Sequence, residues 1–230
     1  MTLYETISTR RQVRKFDMIP IQRQKLQSIL NCLSETDQLS GQHTEFELVS
    51  ADEVNGAVAP HYLLSYCIPA IEAYANVGYV LQKADLYIQS IGLGSGWFMN
   101  AKPKTDKGNF CIALAVGNTD MPIRKNLDEF KRMAASDISK HDNSITQAVR
   151  LAPSSLNSQP WKLSFQKGKV IVHDAGRGMK RIILKNKLNK IDVGIAARHA
   201  VIALEQEGKK IISATPITTG KDFYIEISYS

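Results

Sequence analysis

The chain has 230 residues, of which 43% are hydrophobic and 22% charged, and its formal net charge is +7; this composition is typical of an ordinary soluble globular protein with a sizeable core. No apolar run approaches the roughly 20 residues of a membrane span, and the first residues lack the features of a signal peptide, so we expect a cytoplasmic protein without a membrane partner. Three widely spaced cysteines without a C-x-x-C motif, and histidines without ligand spacing, argue against both a disulfide framework and a metal site.

A strongly basic segment follows the first predicted helix, which covers residues 2–9. Within Thr9–Asp17, the side chains of Arg10, Arg11 and Arg14 lie close together along the chain. Such a cluster is tolerated when the side chains spread into solvent, or when an anion lies among them. The residues alone leave both interpretations open.

Hydrophobic periodicity predicts two helices and three strands in the next part of the chain. The second helix is long and ends at a glycine, as helices often do. The predicted elements are a helix with Leu26, Ile29, Leu30 and Leu33 on one face, a strand over Phe46–Val49, a buried strand or core segment over 61–68, a helix with Val77, Leu81, Ala84, Ile88 and Ile91 on one face, and a strand over Phe110–Val116.

Three glycines follow the long helix within Gly92–Trp97. They predict a helix end and a tight turn. They also permit a flat ring to approach the backbone closely, because glycine has no side chain. The segment is not a Rossmann fingerprint, since it follows a helix rather than a strand.

Positive charge also occurs in two later segments. Arg124 and Lys125 are either exposed charges that pair with nearby acids or part of an anion site. Residues 1–134 carry 14 Lys/Arg and 14 Asp/Glu, whereas 135–230 carry 15 and 8, and six of those basic residues fall in the acid-free stretch 177–190. Three interpretations of this stretch stay open: it is a solvated face, it binds nucleic acid without a recognised motif, or it attracts a phosphate-bearing nicotinamide cofactor.

The loop Ala152–Trp161 carries the most informative chemistry in the chain. It joins a predicted helix to an alternating strand, and its Ser, Asn and Gln side chains offer hydrogen bonds without charge. Two prolines limit the backbone. The loop therefore suits a neutral, planar, hydrogen-bonding ligand, or it is an ordinary polar connection that caps its neighbours.

A repeated pattern indicates two similar halves. Asn76–Gly78 and Asp192–Gly194 each begin a predicted long helix that ends at a glycine fourteen residues after the last glycine of the motif, and each helix is followed by an alternating strand. One such half would leave its sheet and long helix exposed. We therefore predict halves at 1–134 and 135–230, packed through their long helices into one compact domain.

Four segments together resemble the nitroreductase family of FMN enzymes. Ala152–Trp161 matches its A-P-S-S-x-N-x-Q-P-W pattern at every fixed position, and Arg10–Phe16 matches R-R-x-x-R-x-F. Gly92–Trp97 is similar to G-L-G-S-x-W, and Pro122–Lys125 matches a basic pair of the phosphate site. The resemblance implies an α+β fold, with a mixed or antiparallel sheet flanked by helices, in the branch where one chain is a pseudo-dimer.

The resemblance assigns the cofactor contacts residue by residue. It implies that Arg10, Arg124 and Lys125 bind the flavin phosphate and that Arg14 lies at the pyrimidine edge of the ring. The complete set of implied cofactor-binding residues is Arg10, Arg11, Gln12, Arg14, Leu93, Gly94, Ser95, Arg124, Lys125, Pro153, Ser154, Ser155, Asn157 and Gln159.

The two predicted halves have not kept the same motifs. The first half has Glu35–His43 where the second has Ala152–Trp161, called the Ser/Asn loop below. The second half has Asp137–Asp142 where the first has its arginines. Each half therefore lacks what the other supplies. This asymmetry predicts one FMN per chain, in a crevice between the halves of a monomeric pseudo-dimer.

The resemblance implies hydride transfer from NADH or NADPH through FMN to a small-molecule acceptor such as a nitroaromatic or a quinone. The flavin supplies this chemistry, so no catalytic side chain is predicted. Arg14 would stabilise the negative charge that develops at the reduced ring. The alternatives are a flavin-binding protein without turnover and a basic nucleic-acid-binding protein, although we expect no nucleic-acid partner.

Overall fold

The computed structural model describes residues 1–105, 107–176, 184 and 187–230. These residues form an α+β protein with two four-stranded antiparallel sheets and helices packed on them. None of the helices within this described part is long and apolar enough to cross a membrane. The helices are α1 (Leu3–Thr9), α2 (Arg23–Ser34), α3 (Ile71–Ser90), α4 (Ala135–Ile138), α5 (Ser144–Arg150) and α6 (Leu188–Gln206).

The N-terminal sheet has the spatial order β1-β3-β6-β4, and β2 pairs with β5 in a separate small ribbon. Its two central strands, β3 and β6, are mostly apolar because both of their faces are buried. One face packs against the helices and the other against a smaller apolar cluster. The strands are β1 (Glu45–Ser50), β2 (Val54–Asn55), β3 (His61–Tyr66), β4 (Gly94–Phe98), β5 (Lys102–Pro103) and β6 (Phe110–Gly117).

The C-terminal sheet has the order β7-β8-β10-β9. It therefore repeats the arrangement of the N-terminal sheet, in which the first, second, fourth and third long strands lie side by side. In its central strand β10, every second residue is buried, so only one face meets the helices. The strands are β7 (Trp161–Gln166), β8 (Lys169–Asp174), β9 (Ile211–Thr219) and β10 (Asp222–Tyr229).

The long helices α3 and α6 cross at two glycines. A Cβ atom added at Gly78 would lie 2.0 Å from the carbonyl oxygen of Ile191, and one added at Gly194 would lie 1.9 Å from the carbonyl oxygen of Ala75. Each glycine thus faces the residue three positions before the other glycine. The contact is reciprocal, as expected for an approximate twofold axis; the division at 134/135 stays a prediction.

The helix end and turn predicted after α3 are present, but the strand that follows them was not predicted. The helix ends at Ser90, Ile91 and Gly92 form a turn in which Gly92 has a φ of 80°, and Gly94–Phe98 then forms strand β4 against β6. A Cβ atom at Gly96 would lie 2.3 Å from the carbonyl oxygen of Val13. The close backbone approach that these glycines permit is therefore made by the chain itself.

The other predicted helices and strands are confirmed within a few residues. The basic stretch 177–190 falls largely outside the described residues. Of its basic side chains, the structure describes Lys187 and Lys190. Lys190 is buried and forms an ion pair with Asp174, so it is not part of a solvated face.

Candidate functional site

A cavity of about 620 Å³ lies between helix α6, the basic N-terminal segment and the Ser/Asn loop. Its volume falls within the roughly 300–1,000 Å³ of typical small-molecule sites. Its walls are drawn from residues 10–14, 97–100, 124–132, 153–157 and 191–195. Elements from both ends of the chain therefore contribute to one site.

Helix α3 fixes the start of the basic segment. Arg10 is 1% exposed, and its Nε lies 2.9 Å from Oδ2 of the fully buried Asp85. The other oxygen of Asp85 accepts a hydrogen bond of 2.6 Å from Ser95. One turn later, the side-chain amide of Gln89 bonds both the backbone N–H and the carbonyl of Arg11, at 2.8 and 2.9 Å. The guanidinium of Arg10 is thus held in one position.

Strand β4 fixes the next residues of the segment. The side chain of Gln12 accepts from the backbone N–H of Trp97 at 3.1 Å and donates to its carbonyl at 3.0 Å. The N–H of Val13 donates to the carbonyl of Ser95 at 3.0 Å. The segment therefore runs along the edge of the sheet, and the exposed Arg14 lines the cavity beyond it.

Two further arginines converge on Arg10. Arg124 donates to the backbone carbonyl of Arg10, and its guanidinium lies 4.1 Å from the ring centroid of Phe130. Burial and, second to it, the positive charge of Arg10 lower the pKa of Arg124 to about 10 and that of Arg132 to about 9. Both side chains remain protonated at neutral pH. The cluster is a concentration of like charge that an anion would stabilise.

Several donors of this arginine cluster are unsatisfied. The Nη2 of Arg10 and the Nε atoms of Arg124 and Arg132 are buried without a hydrogen-bond acceptor in the described part of the chain. Neither Arg124 nor Arg132 forms an ion pair with any residue that the structure describes. Buried polar groups without partners are costly and rare in folded proteins. They indicate a place for a ligand with acceptor atoms.

The loop on the opposite side of the cavity has a strained backbone. It contains a short 3-10 turn, Ser155–Asn157, and Leu156, Asn157 and Gln159 have φ values of 52°, 52° and 47°. Side-chain-bearing residues in this left-handed region cost on the order of 1–3 kcal/mol each and persist where the surroundings impose them. Such strain is concentrated at functional sites.

The loop docks on the segment that carries Arg132. Asn157 accepts a hydrogen bond of 2.5 Å from Arg132 and donates one of 3.0 Å to the carbonyl of Lys131. Gln159 accepts one of 2.9 Å from the backbone of Met133. The arginine cluster and the loop are therefore linked directly at one end of the cavity.

Helix α6 holds the loop from below through Asp192. This carboxylate is 1% exposed and accepts from the backbone N–H of Ser155 at 3.0 Å and from the hydroxyls of Ser155 and Ser158 at 3.3 and 3.4 Å. Burial raises the pKa of Asp192 to about 7, although these hydrogen bonds oppose the shift. At the equivalent position of α3, Asn76 accepts from the backbone N–H of Leu39 at 2.8 Å.

A family model described as "Putative TM nitroreductase" matches residues 2–204, which is most of the chain. The chain belongs to this nitroreductase family. It is accordingly an oxidoreductase, as the sequence resemblance implied. No curated protein matches the chain.

Solved structures with this fold include other nitroreductases. A putative nitroreductase from Thermotoga maritima has a TM-score of 0.72 at 18% identity, with 99% of this chain and 94% of that chain covered. A nitroreductase family protein from Clostridium difficile has a TM-score of 0.50 at 16% identity, covering 62% and 99%. An FMN-dependent nitroreductase from Clostridium difficile R20291 has a TM-score of 0.45 at 16% identity, covering 56% and 96%. The first likeness shows that the nitroreductase fold extends over the whole chain.

The structure brings most of the residues predicted from the nitroreductase resemblance to one cavity. They come from the basic segment, the later basic pair and the Ser/Asn loop, as predicted. Their role in holding a cofactor stays a prediction. Those that line the cavity are Arg10, Gln12, Arg14, Arg124, Pro153, Ser154, Ser155 and Asn157.

Two predicted basic residues do not line the cavity. Arg11 points to the side and pairs with Glu129 at 2.6 Å. Lys125 is exposed, and its backbone N–H donates to Glu129 at 2.8 Å. Helix α3 orients the backbone so that only the first arginine of the adjacent pair, Arg10, faces inward.

The predicted glycine segment also lies behind the cavity wall. Leu93 and Ser95 are buried, and Gly94 packs against neighbouring chain within strand β4. Ser95 acts through Asp85, which holds Arg10. Gln159 is buried and docks the loop rather than lining the cavity.

Sequence reasoning missed two charged residues of the site. Arg132 belongs to none of the motifs found in the sequence. Its place in the arginine cluster depends on the turn at Lys131, where φ is 50°. Asp192 was visible in the repeated motif, where it replaces the Asn76 of the first copy. That difference within the repeat was the available signal.

Proposed function

We propose that the chain binds one FMN per molecule in this cavity and catalyses NAD(P)H-dependent reduction of a small-molecule acceptor. The observation that carries this proposal is the arginine cluster of Arg10, Arg124 and Arg132 facing an uncharged hydrogen-bonding loop across one cavity. FMN has the same distribution of chemistry, with an anionic phosphate at one end and a neutral, planar, hydrogen-bonding ring at the other.

The residues present fit such a group. The unsatisfied Nη2 of Arg10 and the unsatisfied Nε atoms of Arg124 and Arg132 would bind the phosphate through charge-assisted hydrogen bonds. The hydroxyl of Ser154, which also lines the cavity, offers an uncharged contact beside it. Arg132 takes the place that the sequence assigned to Lys125.

When bound, FMN supplies two-electron transfer from NADH or NADPH to an acceptor such as a nitroaromatic or a quinone. The side chains bind and orient the cofactor, and Arg14 places positive charge at the cavity mouth. Trp97, Phe130, Ile191 and Ile195 also line the cavity and exclude water from part of it. None of these functions requires a side chain to act as nucleophile.

The equivalent position on the other side of the helix crossing supports a single site. Tyr79 follows Gly78 as Ile195 follows Gly194, but Tyr79 is buried beneath Arg198. The guanidinium of Arg198 lies 3.6 Å from the ring centroid of Tyr79 and donates to its carbonyl at 2.9 Å. The side chains of Tyr79 and Arg198 thus fill the position equivalent to the cavity wall at Ile195, where a second cofactor would have to bind.

The test is a titration of flavin-free protein with FMN and with riboflavin, followed by flavin fluorescence. We expect one FMN per chain and a preference for FMN over riboflavin, which lacks the phosphate. Arg132→Ala should weaken FMN binding about tenfold to a hundredfold, since a hydrogen bond to a charged group contributes about 1.5–3 kcal/mol. Lys125→Ala, the matched control, should change FMN affinity less than about twofold.

Two outcomes would contradict the proposal. Equal affinity for FMN and riboflavin would show that the arginine cluster does not bind the phosphate. An FMN-loaded protein that oxidises neither NADH nor NADPH in the presence of a quinone or a nitroaromatic would be a flavin-binding protein without turnover. The visible spectrum of the purified protein provides a first indication.

A further inference from the structure

Asp192 is a buried acid in the cavity that the proposed function does not use. It is 1% exposed, contributes to the cavity wall and forms no ion pair among the described residues. The other charged side chains of the wall are mostly arginines. A carboxylate in such a place is costly unless it serves the loop above it or the ligand beside it.

Holding the loop does not by itself require a charge. Asn76, at the equivalent position of α3, accepts from the backbone N–H of Leu39 at 2.8 Å with a neutral amide oxygen. Asp192 makes the same kind of contact to the N–H of Ser155 at 3.0 Å. The two copies of the motif therefore perform one structural task with different side chains, and the ionisable one lines the same cavity as the arginine cluster.

The charges around Asp192 come from three directions. Strand β8 contributes Asp174, which is paired with Lys190 of α6 itself. The loop contributes only the hydroxyl and N–H donors of Ser155 and Ser158. The rest of the cavity wall contributes the arginine cluster, Arg14, Lys131 and Glu129. Burial is the largest influence on Asp192 and, together with the negative charge of Asp174, raises its pKa to about 7 against the opposing hydrogen bonds of the loop.

We propose that Asp192 takes up a proton when the cavity binds an anionic ligand, so that FMN binding is linked to the protonation of this residue. The inference rests on the proposed function. Because Asp192 lines the same cavity, an anion bound there adds negative charge to the surroundings of its carboxylate, and this favours the neutral form. By linkage, protonation of Asp192 strengthens binding of the anion to the same extent.

The test compares the pH dependence of FMN affinity in the wild type and in Asp192→Asn, between pH 6 and pH 8. The ratio of the two dissociation constants should change by about tenfold, with wild-type binding gaining as pH falls; tenfold corresponds to one unit in the linked pKa. Titration of the FMN phosphate itself cancels in this ratio. Riboflavin, which lacks the anion, should show a smaller change.

Asn76→Asp is the matched control, because it introduces a carboxylate at the equivalent position on the other side of the helix crossing. Its FMN profile should follow that of the wild type. A second measurement is calorimetry of FMN binding in buffers with different ionisation enthalpies, in which the wild type should take up more protons than Asp192→Asn near pH 7.

The outcomes separate this inference from the proposed function. If Asp192→Asn only disturbs the loop, affinity falls at every pH, the profiles stay parallel, and the inference is overturned. Equal proton uptake in the two proteins would overturn it as well. If the wild type binds no FMN at any pH, the proposed function itself fails.

Discussion

The helix crossing predicts a severe effect for Gly194→Ala. The added Cβ atom would lie 1.9 Å from the carbonyl oxygen of Ala75 and 2.9 Å from the backbone nitrogen of Tyr79, where ordinary contacts begin at 3.4 Å. Both obstacles are backbone, so α3 and α6 must separate by on the order of 1 Å or more. A gap of that size forfeits a quarter to a half of the dispersion energy of the atoms that it parts.

Overpacking of a core typically costs about 1–3 kcal/mol, and a rigid backbone obstacle places this variant at or above the upper end. We expect a loss of at least about 3 kcal/mol from a total stability of about 5–15 kcal/mol. Because Asp192 and Ile195 of the same helix line the cavity, FMN binding should fall as well. Urea denaturation, with the folded state followed by circular dichroism, measures the stability.

Gly208→Ala is the control variant. It has a φ of 75° and no neighbouring atom within 4 Å of an added Cβ, so it costs only the backbone strain of about 1–2 kcal/mol. Gly78→Ala, which would place a Cβ 2.0 Å from the carbonyl oxygen of Ile191, should behave like Gly194→Ala. The reasoning is refuted if Gly194→Ala is no less stable than Gly208→Ala.

Two further predictions concern the loop and its anchor. Because burial raises the pKa of Asp192 from 3.8 to about 7, the folded apoprotein retains a proton between these pH values that the unfolded chain releases. The free energy of unfolding of the wild type, relative to that of Asp192→Asn, should therefore fall by on the order of 4 kcal/mol as pH rises from 4 to above 7. Urea denaturation across this range checks it, and a constant difference would contradict it. Asn157→Ala removes the hydrogen bonds to Arg132 and Lys131 and should weaken FMN binding about tenfold. His43→Ala, in the equivalent loop of the predicted first half, should leave FMN binding unchanged. Equal effects of the two variants in fluorescence titrations would indicate two working sites.

The loop Ala152–Trp161 shows how much local chemistry could be predicted. Its prolines, uncharged polar residues and flanking periodicity were sufficient to predict a loop between α5 and β7, and in the structure this loop lines the cavity. The positive φ values at Leu156 and Gln159 were not predictable, because they depend on hydrogen bonds from distant segments. The loop was therefore correctly located, and its strain was not anticipated.

The glycines after α3 show the opposite case. Three glycines in five residues indicate close backbone approach, but they do not identify what approaches. In the structure, the backbone at Val13 occupies the place beside Gly96. The sequence predicted the close approach and left open whether a turn or a flat ring required it; a ring beside these glycines stays a prediction.

From the linear sequence one could predict both long helices and several of the strands, the repeated long-helix motif and the membership of the nitroreductase family. Turn residues, hydrophobic periods and motif spacings are properties of neighbours along the chain, and they are legible without coordinates. Tertiary structure alone decided that Arg10 faces the cavity while Arg11 turns to Glu129, that Arg132 rather than Lys125 completes the cluster, and that Asp192 lies beneath the loop. Those outcomes depend on how α3 and α6 cross, and on contacts between residues far apart in the chain, which no local pattern specifies.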